Sequence, residues 1–175
     1  MKYFICTTLL ILSFSSSLIG QVKSDKVEVL WGPETKEAKR STMGDLIAHD
    51  KSGIFVTKNK FKGYFKDYQI SIEHLDPNLI KTNSAILNLG EKKNKRTLEH
   101  FIHFNDIIYV FSSKSDNSIK KNYLYVESIN KKTLLSNNDL KKISEIDFSG
   151  KKKWNNGDFG YSISRDSSKI LIYNG

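Results

Sequence analysis

A chain of 175 residues with 38% hydrophobic and 11% aromatic residues is too apolar to stay disordered, and it has the length of one ordinary domain. Two prolines and one cysteine exclude collagen-like, proline-rich and disulfide-scaffold classes. The net charge of +9 is carried by lysine, with Arg40, Arg96 and Arg165 the only arginines; bidentate recognition of phosphate and guanine favours arginine, so no nucleic-acid partner is expected.

Met1–Gly20 is laid out as a secretory signal peptide. Lys2 supplies the positive start and Tyr3–Phe14 the apolar core, richest at Leu9, Leu10, Ile11 and Leu12. Ser15, Ser16 and Ser17 then lower the hydrophobicity, and Gly20 offers a small residue before Gln21. The core is short for a spanning helix, and no later apolar run approaches the ~18 residues a membrane crossing needs. Cys6 precedes most of the apolar core, whereas a lipid-anchoring cysteine follows it, so no lipid anchor and no disulfide are expected. Cleavage removes one charge, Lys2, and leaves the mature chain at +8. The expected location is outside the cytoplasm: periplasm, cell surface or extracellular space.

Residues 21–45 form a lead-in segment. Glu34–Met43 has room for a turn or two of helix after Pro33 but lacks an apolar stripe. Strand signals follow in order: Gly53–Thr57, Tyr68–Glu73 with period-two alternation, Ile107–Phe111, Tyr123–Val126 and Lys169–Tyr173. Between them, Leu140, Ile143 and Ile146 sit at helical spacing, while Ser144–Phe148 alternates as a strand. The strand reading is preferred.

Three segments share one shape: a strand, a polar turn, then a strand ending in an apolar triplet. They are Leu46–His49 with Ile54–Val56, Phe101–Phe104 with Ile108–Val110, and Tyr161–Ser164 with Ile170–Ile172. Registered on Val56, Val110 and Ile172, the units recur at intervals of 54 and 62 residues. After the first two hairpins come Gln69–Leu75 and Leu124–Ile129, each leading into a polar turn. About four strands per unit is the plan of a β-propeller blade. The expected fold is all-β: an incomplete β-propeller at 46–175 with about two antiparallel four-stranded blades plus the start of a third. The blades are expected at 46–98, 99–158 and 159–175. Asn174-Gly175 is a hairpin signal that follows the last strand, and a closed propeller needs roughly four to eight blades; the chain is therefore expected to be an N-terminal fragment of a longer protein.

The stretch Tyr161–Ile172, with its Ser-x-Asp turn, lysine and aliphatic triplet, resembles the hairpin of bacterial secreted propellers of the WD40-like and TolB type. Ser167 and Ser168 stand where Asp-Gly is usual in that family. The resemblance implies a Gram-negative host and a binding or scaffold role. It equally fits the propeller front end of a secreted peptidase or glycosidase whose catalytic part lies beyond residue 175.

Candidate chemistry is sparse. His100 and His103 fall on opposite faces of a strand, so a metal pair is not expected there. Gly160–Ser164 stops one residue short of a nucleophile elbow and runs into a strand instead of a helix; Ser164 and Asp166 are expected to bond turn amides. No catalytic residue, metal or cofactor is expected. The best interaction candidate interleaves rings with lysines over Lys58–Tyr68, giving a ligand-facing loop at Lys60, Phe61, Tyr64 and Phe65, with a protein or an anionic glycan as partner.

Overall fold

A computed structural model of the chain divides it into Met1–Gly32 and Pro33–Gly175, and the second unit carries the sheets. The described residues are 31–34, 36, 39–63, 68–91, 94–148, 159–166 and 168–174. The signal-peptide reading falls outside them. They form ten strands and no α-helix: β1 Ser41–Asp50, β2 Gly53–Lys60, β3 Gln69–Leu75, β4 Lys81–Ile86, β5 Thr97–Phe104, β6 Ile107–Asp116, β7 Lys121–Ile129, β8 Lys141–Asp147, β9 Phe159–Ile163 and β10 Ile170–Asn174. No helix among them is long and apolar enough to cross a membrane.

Pairing follows chain order throughout. β1-β2-β3-β4 and β5-β6-β7-β8 are antiparallel four-stranded sheets, and β9 pairs with β10 as a hairpin. The short turns have local chemical causes. Asn105 and Asp106, both left-handed at φ 48° and 62°, close β5 onto β6 in the turn that matches strand twist. Between β1 and β2 the Asp50 carboxylate accepts from Ser52 N at 2.8 Å, and Gly53 takes φ 132°, which a side chain would forbid. Between β9 and β10 the Ser164 hydroxyl donates to Asp166 at 2.6 Å and accepts from Lys169 N at 2.9 Å. Ser164 and Asp166 thus bond turn amides, as the sequence implies. The segment around Ile143 is the strand β8, and Ser41–Met43 belongs to β1 instead of a helix.

The repeat read from the sequence is a repeat of register. Val56 lies opposite Leu46 and Glu73, Val110 opposite Phe101 and Glu127, and Ile172 opposite Tyr161. Ile108 and Val110 are fully buried against Ile47, Ala48, Phe55 and Ile72 of the first sheet. The alternate face of the second sheet, with Phe111, Leu124 and Ile102, packs on Phe159, Ile170 and Ile172 of the hairpin. Each aliphatic pair on β6 and β10 therefore faces the sheet before it, while Phe55 and Phe111 face the sheet after. Strand alternation sends Ile54 and Val56 to the face opposite Phe55. The core is two apolar layers with the second sheet between them.

Candidate functional site

The loop after β2 begins with Lys60, exposed at the strand end and opposite Ser41 and Gln69. Phe61 N donates to Arg40 O at 2.9 Å, which ties the start of the loop back to the residue before β1. The Phe61 ring lies 5.5 Å from the Tyr68 ring at 49°, so the two ends of the loop meet through their aromatics. Tyr68 is 64% exposed, and Lys60 and Lys62 are exposed beside the pair. Tyr64 and Phe65 lie outside the described residues. With Tyr68 exposed, Phe61 half-buried and two exposed lysines beside them, such a ring pair can stack on a flat or sugar surface while the cations neutralise an anionic group.

At the opposite end of the sheets, Lys131 reaches from the β7–β8 loop between two hairpin turns. Its Nζ donates to Asp50 Oδ2 at 2.7 Å and makes a short contact to Asp106 Oδ1, and it lies 5.7 Å over the Phe55 ring. The hydrogen bond from Lys131, then that from Ser52, holds the Asp50 carboxyl well below the usual carboxylate range. Asp106 is lowered by Lys131 as well. For Lys131, burial opposes the charge, but the bonds to Asp106 and Asp50 outweigh it and raise its pKa. With both carboxylates spent on it, Lys131 ties the first sheet to the second and is not offered to an external anion. Behind Phe55, the His74 ring stacks at 4.4 Å and 15°, held by Ser52 Oγ at 3.1 Å and Thr82 Oγ1 at 2.9 Å.

A second buried polar cluster ties the connection between these sheets to the second sheet. Arg96, on the connection from β4 to β5, places Nη2 2.9 Å from Glu127 Oε1, with side chains 10% and 5% exposed. Arg96 Nη1 donates to Ser112 Oγ at 3.1 Å, Ser136 Oγ donates to Glu127 Oε2 at 2.5 Å, and the guanidinium stands 5.9 Å from the Tyr125 ring. An ion pair so enclosed is a packing element.

The two histidines of β5 separate as strand alternation requires. His100 turns toward the hairpin, where Nε2 lies 3.0 Å from Phe159 O and its ring meets Tyr161 edge-on at 4.8 Å. His103 lies 3.8 Å from Asp106 near the β5–β6 turn. A bulge between Leu98 and His100 brings Glu99 beside His100 in a small crevice of about 10 Å³, walled by Ile102, Phe111, Phe159 and Tyr161. The Glu99 carboxylate accepts from the buried Ser113 hydroxyl. Neither this bulge nor the long-range ties of Lys131 and Arg96 has a local sequence signal; only the Asp-x-Ser turn at Asp50 could have pointed to one partner.

Among the described residues no three His, Cys, Asp or Glu side chains are grouped to hold a metal ion. Lys60, Phe61 and Tyr68 meet at one corner of the first sheet, with Lys60 and Tyr68 exposed and Phe61 half-buried. Comparison with known proteins finds no matching family model, curated protein or solved structure.

Proposed function

We propose that this chain is an exported binding or scaffold protein of the β-propeller type, which engages a protein or an anionic glycan through the loop that starts at Lys60 and Phe61. One observation carries the reading. Each successive sheet uses the same aliphatic pair, Ile108/Val110 then Ile170/Ile172, against the sheet before it, which is the packing rule of sheets repeated around an axis. Such a scaffold projects its inter-strand loops outward from a rigid frame, and loops of this kind carry recognition. The layout of Met1–Gly20 supports export, with the mature chain beginning at Gln21.

The test is calorimetric titration of the secreted protein with a panel of sulfated and uronic-acid oligosaccharides. Binding by one class is expected, and Lys60→Ala/Phe61→Ala is expected to weaken it at least tenfold with the melting transition unchanged. N-terminal sequencing of the same material should read from Gln21. Glycan affinity unaffected by the double substitution would remove the loop from the reading, and material that begins at Met1 would remove export.

A further inference from the structure

The two four-stranded sheets enter their first strands in the same way. Arg40 stands immediately before β1 and Arg96 immediately before β5. Val56 and Val110 hold equivalent positions, and each lies opposite a glutamate of the next strand, Glu73 and Glu127. Lys60 and Lys114 follow those valines at the same separation in sequence. Both sheets therefore carry the same set of charged groups, and the second shows the set used internally.

In the second sheet each cation of the set has a protein partner. Arg96 is buried on Glu127 at 2.9 Å and bonds Ser112 Oγ, and Lys114 Nζ donates to Asn94 Oδ1 at 3.0 Å. In the first sheet the glutamate is met by a different cation, with Lys81 Nζ 3.4 Å from Glu73 Oε1. Arg40 is left exposed. Neither Arg40 nor Lys60 forms an ion pair or a side-chain hydrogen bond among the described residues.

Two more cations share this corner. Phe61 N donates to Arg40 O at 2.9 Å and Lys60 lies opposite Ser41, so the chain entering β1 runs beside the chain leaving β2. Lys39 directly precedes Arg40 and Lys62 directly follows Phe61; both are exposed, and among the described residues both are unpaired. Residues 39–44, 57–63 and 68–72 contain no acidic residue. Like charges gathered this closely repel one another, and an anion from outside relieves the repulsion. A second copy of the chain, at a net charge of +9, is a poor source of that anion. The Tyr68 ring, 64% exposed and 5.5 Å from Phe61, borders the corner and offers a face on which a sugar can stack. An anionic glycan uses both the charge and the ring, where an acidic peptide segment uses the charge alone.

We propose that Arg40 is the anion-reading residue of this corner: its guanidinium takes two oxygens of a carboxylate or sulfate group on a glycan, with Lys60 and Lys62 adding charge and the sugar ring resting on Tyr68. A guanidinium presents paired donors in one plane that match such a group, and a lysine ammonium does not. The inference rests on the binding role proposed above and names the chemical group which that role recognises.

The test is calorimetric titration of the full chain with a sulfated oligosaccharide lacking uronic acid, a uronic-acid oligosaccharide lacking sulfate, and a polyglutamate peptide. At least one of the two glycans should bind, and the tighter of them identifies the oxyanion. Arg40→Lys keeps the charge and removes the fork, and should weaken that glycan at least tenfold. Arg40→Gly removes both and suits the left-handed φ of 62° at this position, so it should bind at least as weakly with no fall in melting temperature. Full affinity in Arg40→Lys would overturn the proposal, since charge alone would then suffice. So would tighter binding of polyglutamate than of either glycan, which would make an acidic protein the occupant. Glycan affinity lost in Lys60→Ala/Phe61→Ala but kept in both Arg40 variants would remove Arg40 and leave the proposed function standing; no binding of either glycan would remove both.

Discussion

Lys131 bridges the first two sheets by binding one carboxylate from each. It reads in the sequence as one of many lysines, since nothing local distinguishes it from Lys132. Its position becomes informative only when Asp50 and Asp106, far apart in the chain, arrive at the tips of adjacent hairpins. Replacing it, Lys131→Ala, should lower stability at neutral pH by about 1 kcal/mol; the Asp106 side of the contact is open to solvent and screened, so most of the loss is the Asp50 side. The sign with pH is fixed by Asp50. A carboxyl whose folded pKa is depressed stabilises fully above its unfolded value of about 4 and loses that contribution as pH falls toward the folded one. Urea unfolding at pH 7 and pH 3 should therefore show a smaller difference between variant and parent at the lower pH. An equal difference at both would mean that Asp50 is not the partner that matters. Glu145 presents the exposed version of the same chemistry, held at about 2 by hydrogen bonds from Lys121 and then Lys142, and its removal should leave the melting point near the parent value.

At the scale of single elements, the hairpins depend on a few backbone positions. Gly53 starts β2 at φ 132°, and a methyl group there would sit 1.9 Å from the Leu75 carbonyl oxygen. That oxygen belongs to the main chain of the neighbouring strand and cannot step aside without opening the β2–β3 ladder. Gly53→Ala should cost about 2–3 kcal/mol in chemical denaturation, from backbone strain together with the clash. The connection between the two four-stranded sheets has its own anchor in Arg96 and Glu127. Arg96→Met strands a buried carboxylate and should cost about 3–5 kcal/mol, whereas adding Glu127→Leu should recover much of it, because two apolar side chains no longer need a partner. A double-mutant cycle measures the coupling, and additive losses would show that Glu127 finds other partners when the arginine is gone. The interior strands β2, β3, β6 and β7 were legible from their β-branched and aromatic runs. β4, Lys81–Ile86, was not, because a polar edge strand is recruited by the backbone of β3 and has little pattern of its own.

For the molecule as a whole, stability rests on the two apolar layers on either side of the second sheet. Ile108 is completely buried in the layer shared with the first sheet, and Ile108→Ala should cost about 2–5 kcal/mol through lost burial and the cavity it leaves. Because that layer joins two sheets, amide protection in β2 and β6 should fall together; loss confined to β6 would show that the sheets unfold separately. Leu171, by contrast, is 63% exposed, and Leu171→Thr should change stability by no more than about 0.5 kcal/mol.

The sequence alone determined the class of the fold, the hairpin positions and the equivalence of Val56, Val110 and Ile172, because period-two alternation and turn chemistry are local properties that a strand cannot hide. It also determined that His100 and His103 part company, since alternation over three residues allows nothing else. Of the proposed loop, Lys60 lies at the end of β2 and Phe61 just after it, and the ring partner across the loop, Tyr68, is supplied by the antiparallel return of β3. What the tertiary structure decided was which face of each sheet meets which neighbour, and where Lys131 and Arg96 find their carboxylates. Those outcomes depend on how residues far apart in the chain are brought together, and pairwise distance across a sheet interface leaves no periodic trace in the chain.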